Sequence, residues 1–106
     1  MREPTFLILT ALAGVPRHGY GIVQEVGALS DGRVSLLTGT LYTALDRLTA
    51  EGLVEHDRDE EVDGRVRHYY RLTMRGLAAL TAETARLRQL TGAAEARLRA
   101  LRPGTA

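Results

Sequence analysis

The sequence contains no cysteine, which excludes disulfide bonds, thiolate metal ligands and thiol nucleophiles. Lysine and tryptophan are also absent, and all 14 basic residues are arginines. No apolar run approaches the roughly 18 residues of a membrane span. The first run, residues 6–15, continues into a helical pattern without a small-residue cleavage site, so we interpret it as a core helix and not as a signal peptide. These absences favour a cytoplasmic protein without membrane contact.

Charge is distributed unevenly along this chain of 106 residues, although its net charge is only +1. Residues 51–63 contain seven acids and one arginine, whereas residues 64–75 contain four arginines and no acid. This separation predicts one basic face on the folded protein, which is the kind of surface that phosphate groups contact. The length and the apolar content of 44% suit one domain with a modest core.

Three helices are predicted in the first half of the chain, from apolar residues at helical spacing. They cover residues 5–13, 20–29 and 39–51. Thr38 is expected to cap the third helix, because its hydroxyl can accept a hydrogen bond from a free N–H of the first turn. Gly52 is expected to end the same helix, since glycine readily adopts the left-handed conformation found there.

A hairpin and a long helix are predicted in the second half. Strands are predicted over residues 53–58 and 67–72, because Val54, Val66, Tyr69 and Tyr70 suit a pleated surface. The polar link between them, residues 59–65, contains a turn glycine and is expected to be a mobile tip. The last helix spans residues 74–101, with Thr73 as its cap.

The order of three helices, a hairpin and a helix predicts a mainly α fold with a small β-hairpin, a winged helix-turn-helix plus a C-terminal helix. Residues 1–76 are expected to form the winged unit and residues 77–106 the helical extension. Gly92 is a candidate for a bend or a break in that extension, and Pro103 and Gly104 mark its end.

The third helix has the surface that a DNA-reading helix needs. A B-form major groove admits one α-helix, which must be buried on one side and small or polar on the other. The inner stripe of this helix is rich in leucine, and its outer face carries small and polar residues. The hairpin offers arginines to the DNA backbone or to the minor groove. The expected DNA contacts are Tyr20, Gly39, Thr40, Thr43, Arg47, Arg65 and Arg67.

Three motifs resemble those of the PadR family of bacterial regulators. HGYGI at residues 18–22 resembles the start of the second helix in that family, and TGTLYTALDRL at residues 38–48 resembles its recognition helix. EGLV follows at residues 51–54, and GRVRHYYRLTMRG at residues 64–76 resembles the wing. The motifs occur in the family's order, and the resemblance covers roughly residues 5–80.

The resemblance implies a repressor that acts as a homodimer and is released by a small ligand, often an aromatic or cationic compound. The short tail is similar to the compact subgroup, whose single C-terminal helix mediates dimerisation. The resemblance also implies that Tyr42 faces DNA, while packing against the second helix is the alternative. Two features depart from the family: the wing tip is acidic up to Asp63, and lysine is missing. Without tryptophan, a ligand site of stacked indole rings is excluded.

The last helix carries an apolar stripe that extends past what one small domain can cover, so we expect a partner. A second copy of the chain is the simplest partner, because two-fold dimers are the commonest assembly. Such a dimer would place its recognition helices about 34 Å apart, or a multiple of that distance, on a roughly palindromic operator. The expected interface residues are Leu80, Leu87, Leu90, Ala94, Leu98 and Leu101.

Other functions are less well matched. The histidines show no i, i+4 pairing, so we expect no metal and no cofactor, although His56 and His68 could be neighbours across the hairpin. His18 is expected to fix a turn, and for Tyr20 the alternative is a core tyrosine. We expect no enzyme, because there is no phosphate-binding loop and no acid–base constellation. A winged helix used for protein contacts without specific DNA binding is the main alternative, and the acidic wing would suit it.

Overall fold

The computed structural model describes residues 1–102. The elements run in the order α1 (Glu3–Ala11), β1 (Arg17–His18), α2 (Gly19–Leu29), α3 (Thr38–Ala50), β2 (Val54–Val62), β3 (Arg65–Leu72) and α4 (Met74–Ala100). This order confirms the predicted winged helix-turn-helix followed by a C-terminal helix. Among the helices so described, none combines the length and the apolarity needed to cross a bilayer.

The core lies where the three N-terminal helices meet the start of the hairpin and the first turns of α4. Each helix buries one apolar face there, and removal of these side chains from water is the main force that holds the elements together. The almost fully buried large side chains are Ile8, Leu9, Leu12, Ile22, Val26, Leu41, Leu45, Leu48 and Val54.

Two local hydrogen-bond systems shape the helix-turn-helix. His18 is the N-cap of α2, and its Nδ1 accepts a hydrogen bond from the Gly21 N–H at 3.2 Å, which confirms that this histidine fixes a turn. Ser30 is buried after α2, and its Oγ accepts from the Val34 N–H at 2.9 Å. The link between α2 and α3 is therefore an ordered turn that sets the position of α3 against the core.

The two ends of α3 differ in how well they were predicted. Leu37 is the N-cap residue and provides no side-chain bond, so the prediction that Thr38 caps this helix is wrong. Thr38 is instead the first helical residue. Gly52 ends the helix as predicted, with φ at +76°, and the next N–H, of Leu53, bonds back to the carbonyl of Leu48 at 2.9 Å.

The wing is longer and more regular than predicted. The strands continue to Val62 and resume at Arg65, so the prediction of a loop over residues 59–65 is wrong, and the reversal is a two-residue turn at Asp63 and Gly64. Both turn residues have positive φ, as a tight hairpin turn matched to strand twist requires. Residues 17–18 add a third strand, β1, so that the sheet order is β1-β3-β2.

Helix α4 begins inside the domain and leaves it. The Thr73 hydroxyl accepts from the Gly76 N–H at 3.0 Å, which confirms the predicted cap. The helix passes through Gly92 without a break, so of the two predictions for this residue the break is wrong. Its first turns pack against α1, and the longest dimension of the chain is 65 Å. The predicted end at Pro103 and Gly104 lies outside the described residues.

Candidate nucleic-acid interface

Helix α3 presents a polar face to solvent. Leu41, Leu45 and Leu48 point into the core, and the opposite side is exposed because the helix packs along one stripe only. Thr40 and Thr43 are both exposed on this side, as predicted from helical projection. Their hydroxyl groups can donate and accept hydrogen bonds, so this face can contact either phosphates or base edges.

The first turn of α3 leaves backbone donors free. The first N–H of the helix with a backbone acceptor is that of Leu41, which bonds to the Leu37 carbonyl at 2.9 Å. Within residues 1–102, no side chain accepts from the N–H groups of Thr38, Gly39 or Thr40. Three free donors at the positive end of a helix dipole form a surface that attracts an anion such as a DNA phosphate.

No contact within the described residues requires glycine at position 39. It lies in the first turn of α3, and a Cβ at this position would meet no atom of the chain within 4 Å. Glycine in a helix costs about 1 kcal/mol relative to alanine. Neither packing within the chain nor a positive φ requires glycine here, and the expected DNA contact of Gly39 stays a prediction.

Tyr42 and Tyr20 lie at the junction of α2 and α3. The Tyr42 side chain packs against the start of α2 at Gly19, where a Cβ would come within 2.5 Å of the Tyr42 hydroxyl oxygen, and it stays about one-third exposed. Tyr42 therefore packs against the second helix, as the alternative prediction has it, while part of its ring remains exposed to solvent. Tyr20 is 66% exposed, so the alternative of a core tyrosine is wrong.

Arg47 is partly engaged within the chain. Its Nη2 donates to the Thr5 hydroxyl of α1 at 2.9 Å, and its Nη1 lies 3.1 Å from the Glu51 carboxylate. Half of its side chain remains exposed. The hydrogen bond to Thr5 therefore holds the guanidinium toward α1. A contact of Arg47 with DNA, as predicted, would compete with this bond.

The arginines of the wing fall into two groups. Arg58 and Arg71 are neutralised by carboxylates, since Asp57 binds both of them at 2.8 and 2.9 Å. The hydrogen bond from Arg58, followed by that from Arg71, lowers the pKa of Asp57 below its usual value. Arg65 and Arg67, the two predicted contacts, are exposed and form no ion pair within residues 1–102. They are therefore the wing cations available to DNA.

A groove of about 770 Å³ runs between the start of α1 and the first turns of α3. Arg2 and Pro4 line one wall, while Gly39, Thr43 and Arg47 line the other. The sequence analysis missed Arg2 as part of this surface, because nothing in its local pattern shows that the start of α1 lies beside α3. The groove adds one more arginine to the predicted contact face.

The predicted dimer residues do not share one environment. Leu80 is only 9% exposed and belongs to the core of its own chain, and Leu87 is half-buried beside α1. Every residue from 88 to 102 is exposed. The exposed apolar stripe therefore starts after Leu87 and consists of Leu90, Ala94, Leu98 and Leu101.

Comparison with known proteins identifies the family. Residues 8–82 match the sequence profile of the Transcriptional regulator PadR-like family, which is well over half of the chain. The chain is a member of that family. Over 73 residues it is 42% identical to Transcriptional regulator Rv3488 of Mycobacterium tuberculosis, a match that spans 69% of this chain and 64% of that relative.

Solved structures of PadR proteins share the fold. A PadR family transcription regulator from Clostridium difficile superposes with a TM-score of 0.76 at 24% identity, covering 92% of this chain and 99% of that one. Bacillus subtilis PadR, solved in complex with operator DNA, superposes with a TM-score of 0.69 at 24% identity, covering 78% of this chain and 48% of that one. At this identity the likeness establishes the winged-helix fold.

Proposed function

We propose that this PadR-like chain is a sequence-specific DNA-binding repressor that acts as a homodimer. The observation that carries the proposal is the exposed first turn of α3, where free N–H groups, Gly39 and two threonine hydroxyls share one surface. A helix of this kind can enter a major groove, and the exposed Arg65 and Arg67 of the wing can then reach the adjacent backbone or minor groove.

The exposed second half of α4, residues 88–100, supports the proposal of a homodimer. Leu90, Leu98 and Leu101 are all more than half exposed, and an apolar stripe of this kind favours a partner that removes it from water. A second copy that packs on Leu90, Ala94 and Leu98 would be such a partner, and the same contact would fix the distance between two recognition helices. The corresponding operator is nearly palindromic, with half-sites about 34 Å apart or at a multiple of that distance.

The proposed repressor responds to a small ligand, as expected from the resemblance to other PadR regulators. Binding of an effector can release DNA only if the effector prefers the conformation that does not bind DNA. The proposal therefore predicts that an inducing compound lowers operator affinity and that operator DNA lowers the affinity for the compound by the same factor.

A fluorescence-anisotropy titration tests the proposal. The probe is duplex DNA from upstream of the gene for this chain, the control is a scrambled duplex of equal length, and both are measured at several salt concentrations. We expect tighter binding to the upstream duplex, two chains per site and an affinity that falls steeply with salt, because phosphate neutralisation releases counterions. Equal, weak and salt-insensitive binding to both duplexes would favour the protein-interaction alternative, which the acidic wing suits.

A further inference from the structure

The wing brings together two histidines and an aspartate that are separated in sequence. Strands β2 and β3 pair so that Asp59 lies opposite His68 and His56 lies opposite Tyr70. The register shifts between His56 and Arg58, which leaves Asp57 as the extra residue of a β-bulge. In a regular strand, residues 56 and 59 would lie on opposite faces, but the bulge places both on the face that carries His68.

The three side chains have the geometry of a small chelating group. His56 Nε2 and His68 Nδ1 each lie 2.6 Å from the same oxygen of Asp59, Oδ1. One potential ligand atom from each residue lies within 4.8 Å of the others, and all three side chains are exposed. A tetrahedral zinc site separates its N and O ligand atoms by about 3.3 Å, so each of the two His–Asp59 distances would have to lengthen by less than about 1 Å.

The chemistry of the donors selects the class of ion. Two imidazole nitrogens and one carboxylate oxygen suit zinc, nickel or copper, whereas magnesium and calcium prefer sites built only from oxygen. With three protein ligands at an exposed site, water fills the remaining coordination positions. The nearby carboxylates do not compete for this role, because Asp57 is already bound by Arg58 and Arg71 and Glu60 by Arg58.

We propose that the wing binds one divalent transition-metal ion of the zinc class through His56, Asp59 and His68. The hairpin, residues 54–72, carries six carboxylates and four arginines. A bound divalent cation offsets that excess of negative charge, so the ion would change the electrostatic surface that the wing presents beside Arg67. This site departs from the expectation that the chain binds no metal, because the bulge that assembles it is not visible in the sequence.

Calorimetric titration with zinc chloride alone tests the proposal, with no DNA present, so that the outcome is independent of the proposed regulatory function. The protein is untagged, because a polyhistidine tag would bind the ion, and it is first treated with EDTA and dialysed. We expect saturable binding of one zinc per chain, and a cobalt titration should give visible absorption bands typical of a low-coordinate site.

Substitution of the ligands distinguishes this site from general attraction to acidic residues. His68→Ala and Asp59→Asn should each weaken zinc binding by about tenfold or more. Glu61→Gln is the matched control, since it removes one charge from the same face of the same strand without touching the three ligands. The proposal is overturned by an absence of saturable binding, or by ligand variants that bind zinc as the wild type and Glu61→Gln do. Circular dichroism of each variant verifies that the fold is retained.

Discussion

The backbone of Gly19 and the hydroxyl of Tyr42 are in such close contact that a Cβ at residue 19 would lie 2.5 Å from the Tyr42 oxygen and 2.9 Å from its Cζ. This contact joins the first residue of α2 to the exposed edge of α3. Tyr42 belongs to the proposed DNA face, so the position of its ring depends on the absence of a side chain on the neighbouring helix.

Gly19→Ala is therefore expected to displace Tyr42 and to lower the free energy of unfolding by about 1–3 kcal/mol. In a Tyr42→Phe background the same substitution should cost less, because the nearest clashing atom is gone, although the ring carbon still limits the relief. Urea unfolding of the two single variants and the double variant measures the coupling. Equal costs of Gly19→Ala in both backgrounds would show that the contact does not constrain the tyrosine.

Gly39→Ala is expected to separate stability from DNA binding. The added methyl group meets no atom of the chain, so the helix should gain about 0.5–1 kcal/mol of stability. Operator affinity should fall if α3 binds DNA as proposed, because the methyl group would occupy the space between the helix and the DNA. Gly27→Ala in α2 is the control, since a Cβ there also lies in open space and the position is outside the proposed interface. Unchanged operator affinity in Gly39→Ala would remove this residue from the contact surface.

Arg47→Ala should weaken operator binding by about 1–3 kcal/mol if the guanidinium contacts a base. The bond from Arg47 to the Thr5 hydroxyl must break or stretch before that contact forms. Thr5→Val removes the internal acceptor and leaves the arginine intact, so it should maintain or increase the affinity. Anisotropy titrations of both variants make the comparison. A loss of affinity in Thr5→Val equal to that in Arg47→Ala would mean that the arginine acts by positioning α3 and not by touching DNA.

The sequence predicted the elements whose signals are local and periodic. The apolar stripes of α2 and α3, the cap at Thr73 and the stop at Gly52 all depend on residues within a few positions of each other. The tip of the hairpin was predicted as a loop, because a run of acidic residues has low strand propensity. In the structure, the Asp63–Gly64 turn and cross-strand pairing with β3 keep residues 59–62 in a strand. Strand β1 was missed because two residues carry no periodic pattern.

Features that depend on contacts between distant elements could not be predicted. Helical spacing places Leu80 and Leu98 on one stripe, but only the packing of α4 against α1 shows that the first is in the core and the second exposed. The same limit applies to Arg47, whose helical position predicts an outward side chain while its bond to Thr5 depends on where α1 lies. In both cases the sequence predicted the face of the helix on which the side chain lies, but not its contact with α1.

Leu98→Glu should dissociate the proposed dimer. Leu98 is 63% exposed in the single chain, and a carboxylate buried in an apolar interface is strongly unfavourable. Ala96→Glu is the matched control, because residue 96 faces the other side of the helix and receives the same charged group. Sedimentation velocity should give twice the chain mass of 11.6 kDa for the wild type and for Ala96→Glu, and the single mass for Leu98→Glu. If Leu98→Glu also sediments as a dimer, the interface lies elsewhere.

The cap formed by His18 should make stability depend on pH near neutrality. Nδ1 of His18 can accept from the Gly21 N–H only while it is unprotonated, and burial, followed by the charge of Arg67, lowers the pKa of His18 below 6.5, while Glu60 acts in the opposite direction. The imidazole also packs edge-on against Tyr69. A histidine whose pKa is lowered by folding takes up a proton more readily in the unfolded chain, so its contribution to stability is complete above pH 6.5 and is lost as the pH falls through the folded pKa.

Urea unfolding at about pH 7.5 and about pH 5.5 measures this dependence, with His18→Asn as the comparison. Asparagine is a good N-cap residue that does not titrate, so the variant should retain α2 and lose part of the stability difference between the two pH values. The carboxylate of Glu83 does not interfere, because the hydrogen bond from Arg86 lowers its pKa to about 2, below the range of the experiment. If wild type and His18→Asn lose the same stability on acidification, protonation of His18 is not the cause, and other groups that titrate in this range produce the loss.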